Sequence, residues 1–130
     1  MKKIMAALLT LGSLTLSLQA YDQAERIQDM QTMEISMVEI QKGILYNNKA
    51  MALKGVESLK KASRKVEVDK KEDMDYSASF AKKQAENIIR YADKLEASIE
   101  ANQKHAATTN YTKVLNQCVS CHNKIRKWNQ

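Results

Sequence analysis

Apolar residues recur at steps of three and four from Met30 through Met33, Met37 and Ile40 to Ile44, which places them on one helical face. The same period returns three more times. Ala52, Val56, Leu59 and Val66 line a segment from about Lys49 to Val66. Ala81, Ala85, Ile88, Ala92, Leu95 and Ile99 line a third, with small residues alternating with larger ones. Tyr111, Val114, Cys118, Cys121, Ile125 and Trp128 form a fourth stripe, with Leu115 and His122 beside it. No run shows the strict alternation of a strand. Four amphipathic segments with short connections predict an all-α fold, an antiparallel four-helix bundle.

The connections carry their own signals. Asp22 followed three residues later by Glu25 resembles a capping box and opens the first helix. Asn47 and Asn48 end it. Glu67 to Asp75 is a charged linker carrying Met74, and Asp75 or Ser77 caps the third helix. His105 through Asn110 reads as a polar connection before the fourth. Ile35, Val38 and Leu45 point outward from the first helix, where they suit a homodimer contact or packing within one subunit.

Composition agrees with helices. The chain has no proline, and Gly43 and Gly55 are its only glycines after the first 20 residues. Met1 to Ala20 stands apart, with Lys2 and Lys3 before an apolar centre and Leu18-Gln19-Ala20 as an acceptable cleavage site. It reads as an export signal, leaving residues 21–130 as one domain with no stable membrane insertion. The apolar stretch is short for a membrane span and is broken by Gly12, Ser13, Thr15 and Ser17. Without Lys2 and Lys3 the 21 cations fall to 19 against 15 acids, an excess of four. Charges of both signs are interspersed, which gives no case for nucleic acid and a weak preference for acidic partners.

The chemistry lies in Cys118-Val119-Ser120-Cys121-His122. Two thiols at i and i+3 share a helical face and can form thioethers to the two vinyl groups of one porphyrin. His122 then approaches the iron from the same side as the proximal ligand. A Cys-x-x-Cys redox pair normally sits beside a βαβ pattern, absent here. A structural zinc needs about four ligands, and beyond this motif the only His or Cys is His105. A plain disulfide needs no adjacent histidine. Covalent haem c is therefore the expected cofactor. Export suits it, because such haem is joined to thiols outside the cytoplasm, so the expected compartment is the periplasm. Nothing resembles a catalytic constellation, so no enzyme activity is expected.

With Cys118-x-x-Cys121-His122 on the last helix, Arg126 four residues on, and Arg26-x-x-x-Met30-x-x-Met33 on the first, the chain resembles the class II c-type cytochromes, the cytochrome c′ family. The resemblance covers the mature chain in helix order and lengths. It implies a haem near one end of the bundle, with Arg26 near a propionate and residue 30 on the distal side of the iron. Methionine at that position implies the low-spin, six-coordinate type, with Met33 on the same face as the competing ligand. The chain departs from the family in its short charged linker without prolines, and in Ile125 where an aromatic residue is usual. The expectation is a one-electron carrier with His122 and Met30 as axial ligands and redox proteins of the periplasm as partners. The alternative is a five-coordinate protein that binds NO or CO.

Overall fold

The computed structural model describes residues 23–66 and 78–125. Among these residues there are four helices and no strand: α1 (Gln23–Leu45), α2 (Lys49–Ser63), α3 (Ala78–Glu100) and α4 (Lys104–Ile125). No helix among them is long and apolar enough to cross a membrane. The leader read in Met1 to Ala20, Asp22, the linker Glu67 to Asp75, Ser77, Arg126 and Trp128 all lie outside the described residues.

The third seam is buried along its whole length, from Ala81 to Ile99. On α2, Ala52, Val56 and Leu59 are buried, but the helix stops at Ser63 and Val66 lies beyond it, half-buried. On α1, Met33, Met37 and Ile40 are buried while Met30 is 37% exposed. Asp29 takes the inward position beside it, held by Lys65 at 3.5 Å, and Ser36 is buried as well, donating to the Thr32 carbonyl at 2.7 Å. Polar residues thus occupy part of the inward stripe of α1.

One expected connection is corrected. His105 to Asn110 are not a loop, since α4 begins at Lys104 and these residues form its first turns. The turn is made earlier, by Asn102 at φ 58°, just as Asn47 at φ 55° turns the chain after α1. Asparagine tolerates this left-handed conformation better than other side-chain-bearing residues. In both turns the orphan carbonyls of the helix end are met in the same way. The Asn47 amide donates to the Ile44 carbonyl (3.4 Å) and Asn48 to Gly43 (2.8 Å). Asn102 donates to Ile99 (3.0 Å) and Gln103 to Ser98 (2.9 Å). The Asn48 side chain then caps α2 by accepting from the Met51 amide at 3.0 Å.

The two turns also hold each other. Lys49, directly after the first, donates to the Glu100 carbonyl (2.8 Å) and to Asn102 Oδ1 (3.4 Å). Lys104, directly after the second, donates to Asn47 Oδ1. Asn47-Asn48-Lys49 and Asn102-Gln103-Lys104 are thus equivalent parts of two similar helix–turn–helix pairs, α1–α2 and α3–α4, here called the first and second hairpin for their tight turns. In the first hairpin Gly43 and Gly55 allow close approach, because a Cβ on Gly43 would lie 2.5 Å from the Ala52 nitrogen. In the second the corresponding residues are Ser98 and Asn110, whose side chains hydrogen-bond at 3.0 Å.

Between the hairpins, α2 packs on α3, and Lys60 bridges them to Asp93 (2.9 Å) and Glu96 (2.6 Å). The hydrogen bond that Lys60 donates to Glu96, then the one it donates to Asp93, pushes the Lys60 pKa up. α1 and α4 are the adjoining pair that touch least. Lys104 of α4 reaches Asn47 in the turn that follows α1.

Candidate functional site

Beyond Val114, α4 has no fully buried residue among its described side chains. Cys118 and Cys121 are half-buried, Leu115 and Val119 are 43% and 47% exposed, and His122 is exposed. The 3-residue spacing keeps both thiols on the inward side, and His122 lies one turn from Cys118 on the flank nearer α1. Both cysteines are free thiols. Burial pushes the Cys118 thiol up to about 11, with the neighbouring Cys121 adding to the effect, and burial raises Cys121 too. Burial, then the charge of Cys118, raises Tyr111. Tyr111 and Cys118 both rest against the core.

On α1, Arg26 is half-buried, Met30 is at the surface, and Met33 and Met37 are buried. By helical position Arg26, Met30, Met33 and Met37 lie on the flank of α1 away from the line of contact with α2. That contact runs through Gly43, Ile40, Ser36 and Asp29. The methionine-bearing flank of α1 and the thiol-bearing flank of α4 therefore lie on the same side of the bundle, where the two helices have few contacts. Arg126 and the side chain of Ile125 lie outside the described residues.

No family model, curated protein or solved structure matches this chain. The assignment of the site rests on its own residues.

Those residues fit a flat apolar group. Met30 and Leu115 leave apolar surface exposed on the α1–α4 side, Ile27 and Val119 are exposed farther round, and the other three adjoining helix pairs are well packed. Gln84 Oε1 is a buried acceptor with no donor among the described residues. It lies two turns before Tyr91, towards the end of α3 nearer Cys121. Sequence reasoning missed Gln84 and Asp29, because neither interrupts the apolar period that was used to find the helices. A shallow hollow bordered by Ile44, Asn47, Lys49, Ile99 and Lys104 lies between the two turns, at the opposite end from the thiols.

No group of three or more His, Cys, Asp or Glu side chains forms a metal cluster among the described residues. His105 is exposed in the first turn of α4, far along the helix from His122. The arrangement thus offers two thiols, one imidazole and a facing row of thioethers. That donor set suits an iron porphyrin tethered through its edge.

Proposed function

We propose that the chain is an exported c-type cytochrome, a one-electron carrier of the periplasm with one haem c held in the gap between α4 and α1. The observation that carries this reading is a coincidence of place. The Cys-x-x-Cys-His motif lies on the half of α4 whose described side chains are not fully buried, and α4 has few contacts with α1, the helix that carries Met30, Met33 and Met37. An antiparallel order of helices accompanies it. Contacts of Gly43 with Ala52 and Asp29 with Lys65, of Lys49 with Glu100 and Lys60 with Asp93, and of Ser98 with Asn110 support that order.

In this reading Cys118 and Cys121 anchor the group, His122 is the proximal ligand and Met30 the distal one, with Met33 as the alternative. When bound, the haem supplies a one-electron couple whose geometry changes little between oxidation states. Met33, Met37 and Tyr111 exclude water from one face, and Arg26 and Arg126 serve the propionates. No residue is assigned a catalytic role. The partners are redox proteins of the same compartment, and a class II likeness makes a homodimer through the outward face of α1 part of the proposal.

A second reading draws on the 37% exposure of Met30. A distal thioether at the edge of a gap is easily displaced, and a displaceable sixth ligand suits NO or CO binding.

The test is to produce the chain with cytochrome c maturation machinery. A covalent haem mass and a Soret band surviving acid-acetone are expected, and both should vanish in Cys118→Ala/Cys121→Ala. A wild-type protein without covalent haem ends the reading. A low-spin ferric spectrum then favours the carrier, and a high-spin spectrum with immediate CO binding favours the gas binder.

A further inference from the structure

Charge on α3 is sorted by face. Asp93 and Glu96 turn toward α2, where Lys60 holds both. On the other flank Lys83, Asn87, Arg90 and Lys94 follow one another at steps of four, three and four, forming a stripe beside α4. α4 contributes no carboxylate at all, since Lys104–Ile125 contains neither Asp nor Glu. Its facing stripe repeats the same spacing through Lys113, Gln117, Ser120 and Lys124. The five cations of these two stripes are all exposed.

Three of them converge on Tyr91. The Arg90 guanidinium lies 4.8 Å from the ring centroid, Lys94 Nζ 5.7 Å and Lys113 Nζ 5.9 Å. One ring satisfies one cation well. Three around a single ring repel one another, and none of the three makes an ion pair among the described residues. Glu86, one turn before Arg90, is not in salt-bridge reach of it. Among the described residues no carboxylate pairs with these three cations, so the arrangement holds positive potential over this surface.

We propose that this α3–α4 groove is a docking face for a protein partner with a carboxylate-rich surface. Carboxylates entering between Lys94 and Lys113 would relieve the repulsion and make charge-assisted hydrogen bonds to Arg90. Lys124 places the far end of the face three residues from Cys121, so a docked partner lies beside the thiol-bearing end of α4. The face needs no cofactor. Its charge argument survives if the haem reading fails, and the reverse also holds.

The probe is a dye-labelled oligo-glutamate peptide, titrated into the full chain at low ionic strength and followed by anisotropy. Lys94→Glu/Lys113→Glu is compared with Lys42→Glu/Lys61→Glu, which carries the same net charge, and circular dichroism verifies the fold of both. Affinity should fall at least about tenfold in the first pair and less than about twofold in the second. Lys94→Gln/Lys113→Gln should give an intermediate loss, and binding should weaken steeply as the Debye length shrinks with added salt. Equal losses in the two charge-reversed pairs overturn the proposal, because binding would then follow net charge alone. Displacement of the peptide by phosphatidylglycerol vesicles would make the partner a membrane surface. Salt-sensitive self-association in sedimentation, lost in Lys94→Glu/Lys113→Glu, would make it a second copy. Either result also overturns it.

Discussion

Met30 and Met33 are three residues apart on α1, yet one is 37% and the other 6% exposed. That contrast separates packing from ligation. Truncating buried Met33 removes core contacts and should cost about 2–4 kcal/mol in denaturant unfolding of the haem-free protein. Met30→Ala should cost less than about 1 kcal/mol in the same measurement. In the haem-loaded protein the order should reverse, with Met30→Ala abolishing the ferric sulfur-to-iron charge-transfer band and opening the iron to CO. Loss of that band in Met33→Ala alone would move the ligand one turn inward. Cys118 supplies a pH test on the haem-free chain. Its thiol is raised by burial from the ordinary 9.0 to about 11, so the folded state retains a proton that the unfolded chain has released. Stability is therefore complete below about pH 9 and declines as pH rises toward 11. Thermal melts across that window should show a larger loss in the wild type than in Cys118→Ser, where Cys121, Tyr111 and Lys60 still contribute. An identical decline in the variant would assign it to other groups.

At the scale of elements, the first hairpin is the tightest contact and the most sensitive. A Cβ on Gly43 would meet the nitrogen, Cα and Cβ of Ala52 at 2.5–2.7 Å, so the partner backbone itself must move. Gly43→Ala gains up to about 1 kcal/mol of helix propensity but should still destabilise by about 1–3 kcal/mol through overpacking. A melting temperature at or above wild type would show that α1 and α2 can separate freely. The α3 seam was readable from sequence without error, because small and large apolar residues keep one period and α3 packs along both α2 and α4. The α1 seam was readable only from Met33 onward. Beyond that point the gap beside α4 leaves Met30 uncovered, and Asp29, salt-bridged to Lys65, takes the inward place. The turn before α4 was misplaced because His105, Thr108, Thr109 and Asn110 look like loop residues by type. The readable signal lay elsewhere, in the return of Asn47-Asn48-Lys49 as Asn102-Gln103-Lys104. The spacing of Cys118, Cys121 and His122 is visible in the sequence itself, whereas the burial of Gln84 and the gathering of cations around Tyr91 arise only in the fold.

Across the whole molecule the two ends differ in how they are held. At the turn end, Lys49 and Lys104 tie the hairpins together, and Ile40, Ala52, Leu95 and Ala107 are buried with almost no exposure. At the other end α1 and α4 have few contacts, Met30 and Leu115 are exposed, and Cys118 and Cys121 are half-buried. A haem there would bury apolar surface at about 25 cal/mol per Å². It would stabilise the folded state because the unfolded chain offers it no pocket. Haem loading should therefore act on one end. In hydrogen exchange, amides from Gln28 to Met37 and from Leu115 to Cys121 should gain protection in the haem-loaded wild type over Cys118→Ala/Cys121→Ala. Amides flanking the turns, such as Ile44, Asn48, Ile99 and Gln103, should change much less. The haem-free variant should remain helical around the turns while its open end is cut first by protease. Uniform protection gained along all four helices would mean that the haem organises the entire core. An absence of any gain in a protein carrying covalent haem would place the group outside the α1–α4 gap.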